Sequence, residues 1–369
     1  MADRKICYYY RNASFYRTDI YRLMEEELGV DFYFGNDKEG IRQMNADTLM
    51  RFKGYLPVIK IGSFYWQKGV LSFLKSDYTD LITPGSVKDL STWVLVLFAR
   101  LFGKRVFFWT HGAYGRESRF RKFTKLWQYK RISGLFLYGE YAKSILSSWG
   151  FPSDKMFVIY NSLAYDKQLS ERQKLQAQEV YHDHFGNSNP TLIFIGRLIK
   201  DKQLNRIVDA IWMLKQRGLL VNCVFVGSGE CENELKDRAI ELDIDDLFWF
   251  YGASYDESVN ANLLYNADIC VSPGPIGLTT VHSLMFGTPV ISHDDFSHQG
   301  PEFEAIKKGI SGDFFHFRDN DSLATCISNW LSMHKDREEV RKQCFEVIDK
   351  YYNPHYQISV LKAAFSNEP

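Results

Sequence analysis

The chain has 369 residues, of which 45% are hydrophobic and 16% aromatic. This length predicts two or three domains of roughly 150 residues each, with enough apolar residues for well-packed cores. The 45 Lys and Arg residues balance the 45 Asp and Glu residues, so the overall charge favours no class of partner. The composition excludes a low-complexity or collagen-like chain.

The six cysteines are scattered, and no C-x-x-C pair occurs. Because several lie in apolar runs, we expect reduced core thiols in a cytoplasmic protein. The first residues lead directly into an apolar run, so no signal peptide is predicted. The longest strongly apolar run, 93–99, is too short to span a bilayer.

The first half alternates short apolar runs with helical segments. Helices are predicted at 16–28, 91–102 and 140–149. Strands are predicted at 6–10, 30–34, 58–61, 80–83, 105–109, 135–138 and 156–160. The strands at 58–61 and 80–83 are expected to be buried. This alternation is typical of a doubly wound parallel sheet, which binds ligands at the carboxyl ends of its strands. His111 follows one strand, and is either a hydrogen-bonded structural histidine or a contact to a substrate hydroxyl.

A basic and aromatic segment covers residues 100–131, with ten basic side chains and one acid, Glu117. The candidates for a binding surface are Arg116, Arg119, Arg121, Lys122 and Lys125. Such a surface suits an anionic membrane or a phosphate-bearing acceptor, and a solvated basic helix is the alternative. No nucleic-acid recognition motif accompanies it, so nucleic acid is not an expected partner. With a membrane partner, the location would be the inner face of the membrane.

A polar segment ending in GNSNP separates the two halves. The predicted domains are 1–168, a linker at 169–190, a second domain at 191–352, and a helical tail at 353–369 that packs back on the first domain. From residue 191 a second series of strands and helices predicts another Rossmann-like sheet. No acidic D-x-D cluster argues for a metal, and His182 and His184 in the polar linker lack a third ligand, so no metal site is predicted.

The stretch 270–292, CVSPGPIGLTTVHSLMFGTPVIS, has the pattern of strand, glycine loop, helix, turn and strand. Free backbone N–H groups and the positive dipole end at the start of such a helix suit a phosphate. From this stretch alone, an ordinary strand–helix corner explains the pattern equally well.

Several motifs in the second half resemble retaining glycosyltransferases of family 4, in the family's order. IGRLIKDKQL resembles the family's GRL…EKG element, VFVGSGECENEL resembles VGxGxxxxxL, and Gly300-Pro301-Glu302 resembles GxPE. The resemblance covers about residues 133–320. It implies the α/β GT-B architecture, with two Rossmann-like, doubly wound parallel-sheet domains facing a central cleft.

The resemblance also implies an activity and a set of site residues. The activity is transfer of a sugar, with retention, from a nucleotide diphosphate to a hydroxyl of a glycan or lipid-linked acceptor, in surface polysaccharide or glycoconjugate synthesis. No cofactor or metal is expected. The implied catalytic residues are His111, Arg197 and Lys202, and the implied donor-binding residues are Gly252, Gly277, Leu278, Thr279 and His282.

Two departures from the family pattern keep other functions open. The family's two glutamates, separated by seven residues, fall on Gly274 and His282. The first normally contacts the donor sugar and the second the ribose. A non-catalytic GT-B binding or scaffold protein and a sugar-nucleotide epimerase are therefore alternatives. A dehydrogenase is less favoured, because no G-x-G-x-x-G follows the first strand of either half.

Overall fold

The structure, a computed structural model, describes residues 4–36, 43–333 and 336–366. These residues form two compact units. The first unit contains the described residues up to Ala164 and those from Asn353 onward, and the second unit is Tyr165–Tyr352.

The first unit contains a parallel sheet and a separate hairpin. Its helices before residue 165 are α1 (Thr18–Leu28), α2 (Leu90–Phe98), α3 (Arg119–Tyr129) and α4 (Glu140–Ser148). Its strands are β1 (Ile6–Tyr10), β2 (Asp31–Phe34), β3 (Phe52–Tyr55), β4 (Val58–Ile61), β5 (Phe64–Gln67), β6 (Asp80–Thr83), β7 (Arg105–Thr110), β8 (Gly134–Leu137) and β9 (Met156–Val158). The parallel sheet has the order β3-β2-β1-β6-β7-β8-β9, which confirms the doubly wound sheet predicted for this half.

Both faces of this sheet are covered, which explains the continuous apolar runs of its strands. Successive residues of β1 alternate between two cores, since side chains of a strand point to opposite faces. Ile6 and Tyr8 pack in one core, and Cys7 and Tyr9 pack in the other.

The predicted burial of residues 58–61 is wrong. They form strand β4, but it pairs antiparallel with β5 outside the parallel sheet, with Val58 opposite Gln67. Ile59 and Ile61 are exposed. The two-residue turn begins at Gly62, whose φ of 58° suits a hairpin.

The second unit contains the second predicted sheet. Its helices are α5 (Tyr165–Arg172), α6 (Val180–Phe185), α7 (Asn205–Gln216), α8 (Glu232–Glu241), α9 (Glu257–Asn266), α10 (Leu278–Met285), α11 (Asn320–Met333) and α12 (Arg337–Tyr351). Its strands are β10 (Thr191–Ile195), β11 (Asn222–Val226), β12 (Phe248–Gly252), β13 (Ile269–Ser272), β14 (Val290–His293) and β15 (Gly312–Phe315). The strand order β12-β11-β10-β13-β14-β15 is that of a Rossmann fold, which binds ligands where the order reverses, here between β10 and β13.

Two segments near the boundary of the units have defined contacts. In α6 the Tyr181 hydroxyl donates to the carbonyl of Leu263 at 2.5 Å, which attaches the polar segment before β10 to the second unit. The last helix, α13 (Pro354–Ser366), packs on α1 in the first unit, and Phe365 lies edge-on to Phe107 at 5.1 Å. Within the described residues, no helix has the length and apolar character needed to cross a membrane.

Candidate functional site

Two loops meet at the switch point of the second sheet. The loop after β10 carries Lys202, whose Nζ donates to the carbonyl of Pro275 in the loop after β13, at 2.5 Å. Gly274 lies directly against the first loop, because a β-carbon built there would be 2.3 Å from the carbonyl oxygen of Asp201. The position that carries the first glutamate in the family pattern therefore has no space for any side chain.

Two cations lie close together at this point. Arg197 is exposed and forms no ion pair with another described residue. Burial lowers the pKa of Lys202 and repulsion by Arg197 lowers it further, while Asp201 and Glu302 act in the opposite direction. A bound anion would relieve this repulsion, and guanidinium and ammonium groups together suit a diphosphate.

Helix α10 begins beside these cations. Gly277 precedes its first residue, and neither a side-chain cap nor an acidic residue occupies its first turn. The Thr279 hydroxyl donates to the carbonyl of Ile195 at 3.3 Å, which anchors this turn to the end of β10. The backbone N–H groups of Leu278 and Thr279 and the helix dipole add to the positive potential.

Gln299 fixes the loop after β13, a role that no sequence motif indicated. The side chain is only 3% exposed. Its Oε1 accepts from the backbone N–H of Ile276 at 2.8 Å, while its Nε2 donates to the Ser292 hydroxyl and the His293 carbonyl, each at 2.9 Å. The backbone N–H of Gly300 also donates to the carbonyl of Ile276, at 2.9 Å. The glycine loop is thus held from both sides.

His282 forms a pair with an acidic residue that the sequence analysis missed. Its Nε2 lies 2.9 Å from Oε1 of Glu257, and the same oxygen accepts from the Gln168 side chain at 2.8 Å. Burial raises the pKa of Glu257, but the hydrogen bond and the charge of His282 outweigh this effect, so the pKa is lowered overall. His282 is four residues beyond Leu278, which places it roughly 6 Å further along the helix axis.

Gly252 lies further from the cations than the other donor-side candidates. It ends β12, which is separated from β10 by β11. Its φ is 89°, and its carbonyl accepts from the N–H of Gly227 at 2.8 Å. It therefore lies at the carboxyl edge of the sheet, two strands from Arg197.

His111 belongs to the first unit and follows the end of β7. Its ring centroid is 4.7 Å from that of Tyr138, and the residue is exposed. Partial desolvation by the surrounding protein, with smaller contributions from Arg17 and Lys125, lowers the pKa of His111. The imidazole is therefore neutral at pH 7, and can both donate and accept a hydrogen bond.

Four of the five predicted patch residues lie at the surface around the start of α3. Arg116, Arg119 and Arg121 are exposed, and Lys122 lies over the Trp149 ring at 5.1 Å. Two phenylalanines accompany them, since Phe120 is 74% exposed and Phe123 is 64% exposed.

Lys125 differs from the other four residues of the predicted binding surface. The prediction that it belongs to this surface is corrected by its contacts. Its side chain is only 17% exposed, and its Nζ donates to the Gly112 carbonyl at 2.7 Å and to Glu117 at 2.8 Å. Glu117 in turn accepts from the N–H groups of Tyr114 and Gly115. The pair orders the loop that follows His111.

No group of three or more His, Cys, Asp or Glu side chains among the described residues has the arrangement of a metal site. That the reaction proceeds without a metal stays a prediction.

Comparison with known sequences finds similarity mainly in the second unit. The model of the glycosyl transferases group 1 family matches residues 182–346. A GDP-mannose-dependent alpha-(1-6)-phosphatidylinositol dimannoside mannosyltransferase of Mycobacterium tuberculosis is 35% identical over 103 residues, 27% of this chain and 26% of the relative. A glycogen synthase of Thermodesulfovibrio yellowstonii is 23% identical over 169 residues, 45% of this chain and 32% of the relative. The chain thus spans a third or less of the length of these two relatives.

Comparison with solved structures covers almost the whole chain. Anabaena Alr3699/HepE in complex with UDP has a TM-score of 0.71 at 14% identity, covering 98% of this chain and 100% of that one. The apo lipopolysaccharide outer core galactosyltransferase WaaB has a TM-score of 0.71 at 16% identity, covering 98% and 99%. The fold is therefore GT-B, as predicted, and the model of the glycosyl transferases group 1 family matches residues 182–346 within it.

Proposed function

We propose that this chain transfers a sugar from a nucleotide-diphosphate donor to a hydroxyl of a glycan or lipid-linked acceptor, in surface polysaccharide or glycoconjugate synthesis. The observation that carries the proposal is the meeting of two cations with the uncapped start of α10 at the β10–β13 switch point. Few ligands other than a phosphate chain need both cations and backbone N–H groups at one sheet edge.

The leaving nucleoside diphosphate determines what these residues must do. Negative charge develops on the departing phosphate, and Arg197, Lys202 and the N–H groups at the start of α10 stabilise it. Arg197, which has no ion pair with another described residue, can contact the phosphate. Lys202 also holds the loop after β13 in place through its hydrogen bond to the Pro275 carbonyl. In this proposal the charge is neutralised by the protein alone.

Retention of the anomeric configuration follows from the family resemblance. In the proposed reaction the bond from the anomeric carbon to the phosphate oxygen breaks, and the acceptor oxygen bonds to the same face. The departing phosphate oxygen takes the acceptor proton, so no side-chain nucleophile is needed. His111 is proposed to contact the sugar as a neutral imidazole.

The ribose is the proposed ligand of the His282–Glu257 pair. A phosphate at the start of α10 leaves the nucleoside to extend along the helix, and His282 lies about one turn further on. Glu257 retains its second carboxylate oxygen for a ribose hydroxyl, since the hydrogen bonds with His282 and Gln168 both use Oε1. This arrangement would compensate for the family glutamate that is missing at position 282.

A second candidate function is a non-catalytic nucleotide-binding protein of GT-B fold. The observation that favours it is the backbone contact at Gly274, which excludes the carboxylate that contacts the donor sugar in the family pattern. Donor binding would persist in such a protein, but sugar transfer would not.

Product analysis separates these functions. The full chain is incubated with UDP-, GDP- and ADP-sugars and a panel of glycan and lipid-linked acceptors, and the products are resolved by mass spectrometry. A glycosylated acceptor supports the proposal, and NMR of the new linkage tests retention. Binding without turnover supports the non-catalytic protein, and an altered sugar on the nucleotide supports an epimerase. The Arg197→Ala variant serves as the control for a reaction at this site.

An anionic membrane surface is the proposed second partner, reached by the exposed face at the start of α3. Arg119 and Arg121 alternate there with the exposed rings of Phe120 and Phe123. Basic side chains provide attraction to anionic headgroups, and aromatic rings insert at the interface. We propose a peripheral enzyme on the inner face of the membrane on this basis.

A further inference from the structure

Arg17, at the junction of β1 and α1, is a buried cation without an acidic partner among the described residues. The residue is only 6% exposed, and no ion pair links it to any other described residue. Its Nη1 donates to the Tyr8 hydroxyl at 3.0 Å, but its buried Nε has no hydrogen-bond partner. Burying a charge with unsatisfied donors is costly unless a counter-ion or an acceptor compensates for it.

Aromatic rings surround the guanidinium but do not satisfy it. Its central carbon lies within 6 Å of four ring centroids, at 5.0 Å from Trp109, 5.6 Å from Tyr16, 5.6 Å from Tyr138 and 5.8 Å from Tyr10. Cation–π attraction offsets part of the desolvation cost. A ring face accepts hydrogen bonds poorly, however, and a guanidinium has five N–H donors. Donors therefore remain for a ligand.

The position of this cluster is that of a ligand site. Tyr10 ends β1 and Tyr138 directly follows β8, so both lie at the carboxyl edge of the first sheet. Helix α1 begins immediately after Arg17, and no side chain caps its amino end. Its dipole adds to the positive potential of the guanidinium, while the carboxylate of Asp19 in its first turn opposes it.

Access to the cluster is through partly exposed residues. Tyr10 and Tyr16 are half-buried, and His111 beside Tyr138 is exposed. The cluster therefore borders the solvent-accessible part of the sheet edge at which His111 lies.

We propose that Arg17 binds a phosphate group of a ligand at the carboxyl edge of the first unit's sheet. The planar fork of a guanidinium matches two phosphate oxygens, and its weak hydration suits a buried pair. A phosphate-bearing acceptor and a nucleotide diphosphate share this chemistry. The site goes beyond the proposed function, because it would exist whether or not the chain transfers a sugar.

The test is phosphate binding to the full chain by calorimetry and thermal shift, without a turnover assay. The starting protein carries Arg197→Ala and Lys202→Ala, so that phosphate binding in the second unit is removed. Glycerol phosphate is the probe, and glycerate is the matched carboxylate. Arg17→Met keeps the length of the side chain without its charge, and Arg17→Lys keeps the charge without the planar fork.

We expect glycerol phosphate, and not glycerate, to stabilise the starting protein. Arg17→Met should weaken this binding about tenfold or more, and Arg17→Lys should weaken it less. Without ligand, Arg17→Met should melt at or above the temperature of the starting protein, because an uncompensated charge has been removed. If Arg17→Met does not fold, the affinity of Arg17→Lys for glycerol phosphate is compared with that of the starting protein, and a loss of affinity supports the proposal.

Nucleotides then identify the source of the phosphate. With Arg197 and Lys202 intact, weaker UDP or GDP binding in Arg17→Met assigns the site to the donor. Unchanged nucleotide binding with weaker glycerol phosphate binding assigns it to the acceptor. The proposal is overturned if no phosphate compound loses affinity, if glycerate binds equally well, or if Arg17→Met only lowers the melting temperature.

Discussion

A β-carbon on Gly274 would lie 2.3 Å from the carbonyl oxygen of Asp201. Real β-carbons do not approach backbone oxygens so closely, so the loops after β10 and β13 could not meet as they do with any other residue at position 274. The contact also brings Lys202 to the Pro275 carbonyl. The departure from the family pattern at this position is thus a packing feature of the site.

Restoring the family glutamate is therefore expected to damage the protein. Gly274→Glu and Gly274→Ala should each lower the free energy of unfolding by about 1–3 kcal/mol, because one loop must move away. Chemical denaturation measures the loss, and calorimetry with UDP or GDP should show weaker binding. Gly277→Ala is the matched control, since a β-carbon there meets nothing closer than 3.9 Å. Equal stability of the Gly274→Ala and Gly277→Ala variants would contradict the packing argument.

The Arg197→Ala and Lys202→Ala variants should lose different properties. Arg197→Ala should weaken nucleoside diphosphate binding about tenfold or more without changing stability, because Arg197 has no partner among the described side chains. Lys202→Ala should reduce both binding and stability, because its hydrogen bond to Pro275 is also lost. Calorimetry and thermal melts separate the two effects. Lys200→Ala, which removes an exposed cation from the same loop, is the control and should change neither.

The His282–Glu257 pair should act on the nucleoside and not on the phosphates. Glu257→Gln should weaken UDP or GDP binding several-fold while leaving pyrophosphate binding unchanged, since Arg197 and Lys202 remain. A double-mutant cycle with His282→Ala should show coupling, because the two side chains are 2.9 Å apart. Glu232→Gln, which removes a carboxylate paired with Lys236 on α8, is the control. Equal losses for pyrophosphate and nucleotide would argue against ribose recognition.

The membrane proposal predicts a difference among the basic residues. Reversing the charge of Arg119 and Arg121 to Glu should abolish flotation with anionic liposomes, and Phe120→Ser with Phe123→Ser should reduce it. Raising the salt concentration should weaken binding, as screening requires. Lys125→Glu should instead lower stability, because it breaks the pair with Glu117 and removes the hydrogen bond to Gly112. Flotation that survives the Arg119 and Arg121 reversals would rule out this surface.

His293 should make the second unit sensitive to acid. Both of its ring nitrogens are buried without hydrogen-bond partners, and its ring lies 4.4 Å from that of Phe317. Burial lowers its pKa to about 4, with nearby Asp295 and Asp294 opposing the shift and His298 adding to it. The unfolded chain titrates near pH 6.5. Between about pH 6.5 and 4 the unfolded state therefore binds a proton that the folded state does not.

The free energy of unfolding should accordingly fall as the pH falls through this window. The contribution of His293 is about 2–3 kcal/mol between neutral pH and pH 4. His293→Leu should lose that much less stability over the same range, as measured by denaturation at each pH. His182→Leu, at an exposed position, should follow the wild-type curve. Parallel curves for wild type and His293→Leu would show that another group dominates acid unfolding.

Parts of the site could be predicted because they depend on local pattern alone. Strand, loop and helix signals place Arg197 after β10 and Gly277 before α10, and in a parallel sheet such loops emerge at the same edge. Polar residues that act across the fold left no such signal. Gln299 holds Ile276 from 23 residues away, and Glu257 meets His282 from 25 residues away.

The sequence by itself determined the two α/β series, the edge at which their loops collect, and the cations available there, because these follow from periodicity and chain order. Tertiary structure alone decided which side chains are buried or paired with other residues and which remain exposed. It directed Lys125 inward to Glu117 and exposed β4 in a hairpin. It also closed Gly274 against Asp201, and it buried Arg17 without a counter-ion in the part of the chain that the structure describes. The physical reason is that burial and pairing depend on residues distant in the chain, whose approach no local pattern encodes.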